Sequence, residues 1–345
     1  MAGKVLTTLT EYAVLVPASM FGVLARLGLV AVSQYPGSAV FPLAWAQGVG
    51  CAIMGTVMVW KSSISNIYPL LYLALATGLA GSITTFSSWM LEGYEAFADL
   101  DGTGRSRLHN TVDGLAYNIV TASIALGALH LGSHCARTLS KLSRKVHSGS
   151  GSKEESSETL GKASESSSQE GRHFELFHKL SIVIGALFYV GVLLLYFLGP
   201  HSWRHPVTFS LLLGPPGTML RYALSKLNTG TRLEGKFPIG TFLANMLATA
   251  VLAAVYVGQR APGKDGQTPH LTSVGCDALY ALEEGFCGCL STVSTFASEW
   301  TSIKRTRWKW CYVGVSVVLG HLIIMAIVGG VSWSSAGLGP QCIGT

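Results

Sequence analysis

The sequence has few charged residues. Asp, Glu, Lys and Arg make up 12% of its 345 residues, against roughly 25% in a typical soluble domain. Hydrophobic residues make up 49%, and the mean hydropathy is +0.42. This composition excludes an ordinary soluble protein and indicates a chain that lies mostly in lipid. The net charge of +6 comes from cations in loops, without the basic and aromatic patch that would indicate nucleic-acid binding.

Motifs of catalysis and metal binding are also lacking. The sequence has no nucleophile elbow, no paired catalytic carboxylates and no metal-ligand triad, so a membrane enzyme is a poor fit. Most of the seven cysteines fall in apolar runs, where cysteine behaves as a small hydrophobe. Cys287 and Cys289 lack the second pair that a zinc site requires. No signal-peptide cleavage site follows the first apolar run, so we expect a retained first span.

Long apolar runs are abundant. About 20 residues cross the hydrocarbon core as a helix. The nine candidate spans are 12–32, 40–60, 68–91, 112–132, 178–199, 206–225, 238–258, 273–297 and 310–330. A polar segment rich in Ser, Glu, Lys and Gly separates the fourth span from the fifth and is predicted to be a flexible linker. The predicted domains are a four-span unit (1–134), the linker (135–177), a single span (178–199) and a second four-span unit (200–345).

The distribution of Lys and Arg predicts the orientation, because cytoplasmic loops carry an excess of both residues. With the N-terminus in the cytoplasm, seventeen of the 24 fall in cytoplasmic loops, five in outside loops and two within spans. We therefore expect the N-terminus and the linker to be cytoplasmic and the C-terminus to be extracellular.

The two four-span units repeat one pattern. GSITTFSSW at 81–89 corresponds to GCLSTVSTF at 288–296, and a glutamate follows three residues later in each copy. Other corresponding pairs are Arg26 and Arg221, Gln47 and Asn245, and Ser123 and Ser316. The single span between the units inverts the second one. The predicted fold is therefore an all-α membrane protein of two antiparallel four-helix units, each with a broken third helix.

Glycines and hydroxyls weaken the helix in the middle of both repeated segments. A break inside a membrane is tolerated only where the freed carbonyls find partners, and interrupted spans in inverted repeats are typical of transport sites. If the two breaks cross, their carbonyls could jointly hold one cation. Close packing through small residues is the alternative, but it does not explain the repeated hydroxyls.

Polar residues within spans have two interpretations each. Arg26 and Arg221 either attract anions at a vestibule or reach an interface as anchors. Asn245 and Gln47 either join helices by a hydrogen bond or offer a neutral N–H donor that binds a small anion weakly enough to release it.

Aromatic residues three apart also have two interpretations. Phe86 and Trp89 occupy this spacing in the first unit, and Val293 and Phe296 occupy it in the second. Such spacing is ordinarily core packing. Aromatic edges carry partial positive charge, so these rings are also able to line an anion path without a basic residue.

These segments and the paired four-span units resemble the Fluc or CrcB fluoride channels, and the fused, inverted double unit resembles the eukaryotic form, the fluoride exporters (FEX). The resemblance implies a passive, fluoride-selective channel, working as a single fused chain with two pores. Its partners would be fluoride and the lipid bilayer. Fluoride would leave the cell across the plasma membrane, driven by the negative-inside potential. The resemblance also implies a central sodium ion on backbone carbonyls, at Gly81, Thr84, Gly288 and Ser291.

The resemblance assigns roles residue by residue. The matching pore positions are Phe86, Phe296, Asn245, Ser87, Ser88, Ser294, Thr295, Ser316, Tyr312, Ser123 and Tyr117. Tyr117 and Ser123 match less cleanly, because their spacing differs by two residues from that of Tyr312 and Ser316. The vestibule positions are Arg26, Arg221, Glu92 and Glu299.

Departures from the family pattern suggest unequal pores. Each pore in the family takes its phenylalanines from opposite units, so Phe86 and Phe296 form one complete pair. Val293 and Trp89 would form the other pair, and Gln47 replaces an asparagine. The hypothesis is that one pore conducts and the pore containing Val293 and Trp89 is vestigial. Sequence alone does not assign Asn245 to either pore.

A secondary transporter coupled to protons or sodium is the main alternative, since inverted repeats are equally its signature. Such a transporter requires a titratable residue at mid-membrane. Glu92 and Glu299 lie at span ends, and Glu283 and Glu284 lie early in the eighth span, which favours the channel. A purely structural membrane protein gives no reason for hydroxyls and amides to recur at matched depths.

Overall fold

The computed structural model describes residues 2–100, 102–149, 163–200, 207–262, 271–334 and 337–343. These residues form helices and loops, with no β-strand among them. In the first half the α-helices are α1 (Ala2–Ser33), α2 (Leu43–Val59), α3 (Lys61–Ile67), α4 (Pro69–Leu73), α5 (Gly81–Ile83), α6 (Phe86–Ala98) and α7 (Arg107–Gly149). The remaining α-helices are α8 (Ala163–Leu198), α9 (Phe209–Ser225), α10 (Ile239–Gln259), α11 (Ser273–Ala281), α12 (Gly288–Leu290), α13 (Ser294–Ser302), α14 (Thr306–Ile324) and α15 (Gly330–Ser332).

Several helices are long and apolar enough to cross a membrane. Among the described residues six meet this test, namely Val5–Ser33, Pro69–Ala98, Arg107–Ser143, Glu175–Leu198, Ile239–Gln259 and Thr306–Ser332. A seventh is added if α2 and α3, which are bent by 76°, act as one span. The protein is therefore an all-helical, multi-pass membrane protein. Of the other two predicted spans, α9 has 17 residues and the eighth is divided into short pieces.

Both predicted helix breaks are present in the structure. In the first half a π-helical turn, Ala74–Ala80, leads into α5, and the backbone becomes extended at Thr84 and Thr85 before α6 begins. In the second half the π-helical turn Leu282–Cys287 leads into α12, and the backbone becomes extended at Ser291 before α13. The glycines and hydroxyls of the two repeated segments thus interrupt both helices at the same place.

Close helix packing depends on glycine where α2 lies along α7. A Cβ on Gly55 would lie 2.0 Å from the Leu129 carbonyl oxygen, and a Cβ on Gly132 would lie 2.0 Å from that of Ala52. Only glycine allows the two backbones to approach this closely. The first unit is therefore held together along its second and fourth predicted spans.

The single span between the units, α8, packs mainly against α1. Only 6% of its apolar stretch is buried, so almost all of it faces the surroundings of the protein. Helix α7 continues to Gly149 and α8 begins at Ala163, so both ends of the segment predicted as a flexible linker are helical. Leu, Lys and Arg in these extensions are good helix formers. The central part of the predicted linker, 150–162, lies outside the described residues.

A disulfide joins the C-terminal segment to α11. Cys342 bonds to Cys276, and the amides of Gly339 and Cys342 donate to the carbonyls of Arg260 and Gln259 at 2.8 and 2.9 Å. The interpretation of the cysteines as small hydrophobes missed this pair. The other five cysteines are free. The C-terminal segment and the start of α11 must therefore lie on the same side of the membrane.

This disulfide predicts the thiol count. Protein denatured without a reductant should take up five alkyl groups, because two of its seven cysteines are joined. Reduction before alkylation should raise the number to seven, as measured by intact mass. The Cys342→Ser variant serves as a control and should alkylate at all six remaining cysteines without reduction. Seven adducts on unreduced wild-type protein would contradict the disulfide.

Candidate anion pathway

Where the two breaks meet, each unit supplies one hydroxyl group that binds backbone amides of the other unit. The Thr84 hydroxyl accepts hydrogen bonds from the amides of Val293 and Ser294, at 3.2 and 3.0 Å. The Ser291 hydroxyl accepts from the amides of Phe86 and Ser87, both at 3.1 Å. The first amides of a helix have no partner within it. Each unit therefore caps the broken helix of the other.

Further hydroxyls join the same buried network. Ser87 Oγ lies 2.9 Å from Ser291 Oγ, and Thr84 Oγ1 lies 3.2 Å from Thr292 Oγ1. Ser294 donates to the Ala80 carbonyl of the other unit at 3.1 Å. The breaks thus meet at the centre of the molecule, which is the arrangement that the sequence suggests.

The hydroxyls one position further along each helix lie nearer the edge of this network. Ser88 and Thr295 are half-buried. The Ser88 amide donates to Thr85 Oγ1, and the Thr295 amide donates to Thr292 Oγ1, both at 3.4 Å. These two residues therefore take part in helix starts within their own units.

The two amide side chains bind the break of their own unit. Asn245 accepts from the Thr292 amide at 2.9 Å, and its Nδ2 donates to the Thr292 carbonyl at 3.3 Å. Gln47 Nε2 donates to the Thr85 carbonyl at 2.7 Å. Gln47 Oε1 is buried and has no hydrogen-bond partner among the residues that the structure describes. Both the oxygen and the nitrogen of the Asn245 side chain therefore have hydrogen-bond partners, whereas the longer Gln47 bonds through its nitrogen alone within the described residues.

The two arginines lie neither at an exposed vestibule nor at a membrane–water interface, contrary to both interpretations of the sequence. Arg26 and Arg221 are 1% and 3% exposed. Each guanidinium rests on the break glycine of the opposite unit, since a Cβ on Gly288 would lie 2.2 Å from Arg26 Nη2 and one on Gly81 would lie 1.9 Å from Arg221 Nη1. Packing between the units, which hydropathy does not reveal, holds both side chains inside.

The predicted aromatic pair is present. Phe86 and Phe296 are both buried, and their ring centroids lie 5.5 Å apart. Trp89 joins the cluster, 5.5 Å from Phe86 and 6.4 Å from Phe296. The indole N–H of Trp89 is buried, with no hydrogen-bond acceptor in the described part of the chain. Val293, at the position equivalent to Phe86, is buried as well.

One face of α14 runs along this pair. Tyr312 lies 5.0 Å from Phe296 between ring centroids, and a Cβ on Gly320 would lie 3.2 Å from Phe86 Cε1. Ser316 is midway between these two contacts on the same helix face. Its hydroxyl is buried and has no hydrogen-bond partner within the described residues. It is therefore free to serve a ligand.

A carboxylate ends this row. Tyr312 donates to Glu299 at 2.7 Å, and Thr241 donates to the same carboxylate at 2.6 Å. In the other half Tyr117 likewise donates to Glu92. The tyrosine and glutamate positions predicted from the two repeats thus come together in both units.

The assignment of Ser123 as the pore serine of the first unit is wrong. Ser123 is exposed, whereas Thr121 is fully buried. Thr121 follows Tyr117 by four residues, as Ser316 follows Tyr312, so each pair lies on one helix face. Two further residues along a helix turn a side chain by about 200°, which points Ser123 away from the interior. Thr121 is the true counterpart of Ser316.

Crossed helix breaks, an aromatic pair and unpartnered donors inside a bundle of membrane helices define a duplicated membrane transport protein. The chain belongs to the CrcB family: the family model described as CrcB-like protein, Camphor Resistance (CrcB), matches twice, over residues 13–133 and 208–330. Two matches in one chain confirm the fused form that the sequence indicates.

Named relatives cover most of the chain. Fluoride export protein 1 of Neurospora crassa is 31% identical over 99% of this chain and 70% of its own length. Fluoride export protein 1 of Candida albicans is 29% identical over 93% of this chain and 79% of its own length. A third relative, Fluoride-specific ion channel FluC 2 of Thermobifida fusca, is 33% identical over 31% of this chain and 76% of its own length. No solved structure matches the chain.

Loss of a cross-unit cap should destabilise the whole molecule. Ser291→Ala removes the acceptor of two buried amides, each of which costs roughly 1–3 kcal/mol when left unpaired. We expect a lower melting temperature in detergent, measured by intrinsic fluorescence. Ser302→Ala is the matched control, because the exposed Ser302 hydroxyl donates only to the Ser298 carbonyl one turn earlier. Equal melting temperatures for the two variants would contradict the capping role.

Proposed function

We propose that the protein is a passive fluoride channel that exports the anion from the cytoplasm. The pair formed by Phe86 and Phe296 carries this proposal, because the two rings, tilted by 59° to each other, pack against the helix face that carries the unpartnered hydroxyl of Ser316. Ring edges are partially positive, and the hydroxyl is a neutral donor. The names of the related fluoride export proteins and of the FluC channel support the same anion.

The conducting path follows α14. It runs from Glu299 and Tyr312 past Phe296 and Ser316 to Phe86. Conduction requires several weak sites in series, because a tightly bound ion does not leave. Aromatic edges and hydroxyls meet this requirement better than a lysine would.

Asn245 belongs to this path rather than to the other. Its helix, α10, packs against both α6 and α14, the helices that carry Phe86 and Ser316. The side-chain amide of Asn245 bonds to the backbone of Thr292 and so supports the helix break that precedes Phe296 in the chain.

The second path follows α7, where α13 and α2 also pack. It contains Val293 and Thr121, with Gln47 at the break, and its predicted aromatic residue, Trp89, also packs against Phe86 and Phe296. Valine has no aromatic edge, and an indole is larger than the phenyl ring of Phe296 at the equivalent position. We propose that this path is vestigial.

We propose a central sodium ion where the two breaks cross. The ends of α5 and α12 carry carbonyl oxygens that interrupted helices leave without amide partners, and such oxygens hold Na⁺ in broken-helix transporters. The hydroxyls of Thr84 and Ser291 are engaged as caps, so backbone oxygens are the donors. The residues that would hold the ion are Gly81, Thr84, Gly288 and Ser291. The ion would offset the partial negative charge of the two helix ends.

The proposed topology has nine spans, with α8 inverting the second unit and the fused chain sufficient as a channel. The disulfide between Cys276 and Cys342 supports an outside C-terminus, since disulfides persist in oxidising compartments. It agrees with the excess of Lys and Arg in the loops predicted to be cytoplasmic. Export of fluoride from a cell requires the plasma membrane.

Fluoride efflux from liposomes tests the proposed function. Purified protein in potassium fluoride liposomes should release fluoride quickly once valinomycin provides charge balance, because a passive channel carries net charge. Chloride-loaded liposomes are the control and should not leak. Efflux that instead requires an imposed proton or sodium gradient would favour the coupled transporter, and no efflux from folded protein would reject both.

Two equivalent substitutions test the single conducting path. Phe296→Ile should abolish most efflux, because it removes a ring edge from the complete pair. Trp89→Ile, at the equivalent position, should slow efflux much less, because both rings of the complete pair remain although Trp89 packs against them. The measurement is the initial efflux rate at equal protein density. Equal losses in the two variants would reject the vestigial pore.

The hydroxyls provide an independent control for the same conclusion. Ser316→Ala removes an unpartnered donor from the conducting path, whereas Thr121→Val removes the hydroxyl at the equivalent position of the vestigial one, which donates to the Tyr117 carbonyl at 2.8 Å. We expect only the first to slow efflux. A slow Thr121→Val variant would show that the second path conducts.

A further inference from the structure

A buried row of residues on α6 continues beyond Phe86, towards the end of the helix that the proposed topology places outside. Met90 and Tyr94 follow Phe86 at intervals of four residues, which places all three on one face of the helix. Phe86 and Met90 are fully buried, and Tyr94 is 6% exposed. This face therefore stays inside the protein for roughly two turns after the aromatic pair.

The interior face of α14 lies along this row. A Cβ on Gly320 would lie 2.7 Å from both Cγ and Sδ of Met90. After α14 a π-helical turn, Met325–Gly329, closes with hydrogen bonds one residue longer than those of an α-helix. Gly329 therefore follows Ile324 by five residues, and both are buried. Single π-helical turns inside helices are frequent at functional sites.

Tyr94 reaches the second helix at this π-helical turn. A Cβ on Gly329 would overlap the Tyr94 hydroxyl oxygen, so only glycine leaves room for that group. The hydroxyl is buried and has no hydrogen-bond partner among the described residues. A buried polar group without a partner is costly and commonly binds a water molecule or an ion. Along the α14 path it is the second unpartnered hydroxyl, after that of Ser316.

The equivalent position in the second unit carries no such group. Thr301 follows Gly288 by 13 residues, as Tyr94 follows Gly81. The Thr301 hydroxyl donates to the Ser298 carbonyl of its own helix at 2.8 Å. Of the two equivalent positions, only the one beside α14 therefore has an unpartnered hydroxyl.

We propose that the Tyr94 hydroxyl forms an outer fluoride-binding subsite, which receives the ion after it leaves Phe86 and Ser316. This inference rests on the proposed function. A phenolic O–H is a neutral hydrogen-bond donor, and several weak sites in series allow an ion to move on. In the proposed topology α6 and the π-helical turn both end outside. The subsite therefore precedes release of the ion.

Tyr94→Phe tests the subsite, because it removes the hydroxyl and keeps the ring. We expect the initial rate of fluoride efflux from liposomes to fall about tenfold. This factor corresponds to about 1.4 kcal/mol, close to the lower end for a hydrogen bond to a charged group. The melting temperature in detergent should not fall, because the hydroxyl has no partner in the protein to lose. Unchanged efflux would overturn the proposal, and a lower melting temperature would assign the hydroxyl a structural role instead.

Gly329→Ala tests the same site from the other helix. The added methyl group should displace the Tyr94 hydroxyl and slow efflux. Combined with Tyr94→Phe it should slow efflux little further, because the group that it displaces is already absent. Its Cβ would also lie 3.3 Å from the Trp333 ring, an effect that the double variant retains. Effects of the two substitutions that simply multiply would contradict a shared site.

Two matched controls accompany these variants. Gly330→Ala is the adjacent substitution, and a Cβ there would meet no atom within 4 Å. Tyr189→Phe removes a hydroxyl on α8 that donates to the Leu212 carbonyl at 3.1 Å. Both should leave efflux as in the wild type, and slowing as large as that of Tyr94→Phe would contradict the assignment to Tyr94. Absence of fluoride efflux in the wild type would reject the proposed function itself, whereas equally fast wild type and Tyr94→Phe would reject the subsite alone.

Discussion

The hydroxyls of Thr84 and Ser291 are the contacts on which the rest of the structure depends. Both helix breaks are buried, and an unpaired amide there costs several kcal/mol. Each hydroxyl pairs two amides of the opposite unit. Phe86 and Val293 each supply the first of the two capped amides in their unit. The caps therefore also fix the positions of these two residues, and with them the start of each following helix. The packing of Phe86 against Phe296 therefore depends on the reciprocal caps by Thr84 and Ser291, which require both units.

The polar groups divide into two kinds by charge. Hydroxyls and amides lie along the aromatic pair, whereas the guanidiniums of Arg26 and Arg221 lie against the break glycines. Neutral donors bind an anion weakly enough for it to leave, whereas the arginines hydrogen-bond to backbone carbonyls at the interface between the units.

The central features were predictable because short sequence patterns encode them: glycines and hydroxyls mark both breaks, and the paired copies of the segment align Phe86 with Phe296. The error at Ser123 has a physical cause. Much of α7 is exposed, so apolar residues surround the whole helix and its buried face has no periodic signal. The burial of the arginines and the pairing of Cys276 with Cys342 depend on contacts between distant segments, which a single sequence does not specify. Both ends of the predicted linker are helical, because the helix propensity of their residues outweighs the polar composition from which we predicted a flexible segment.

The exchange of caps also bears on how such a chain is inherited. After a gene duplication each half is ordinarily free to drift, as the loss of an aromatic edge at Val293 illustrates. Thr84 and Ser291 are not free in this way, because a change in one half removes support from a helix encoded several hundred nucleotides away. A half taken from a distant relative brings its own hydroxyls but meets foreign amides. The evolutionary unit is therefore the pair of halves, even if, as we propose, only one of the two paths conducts.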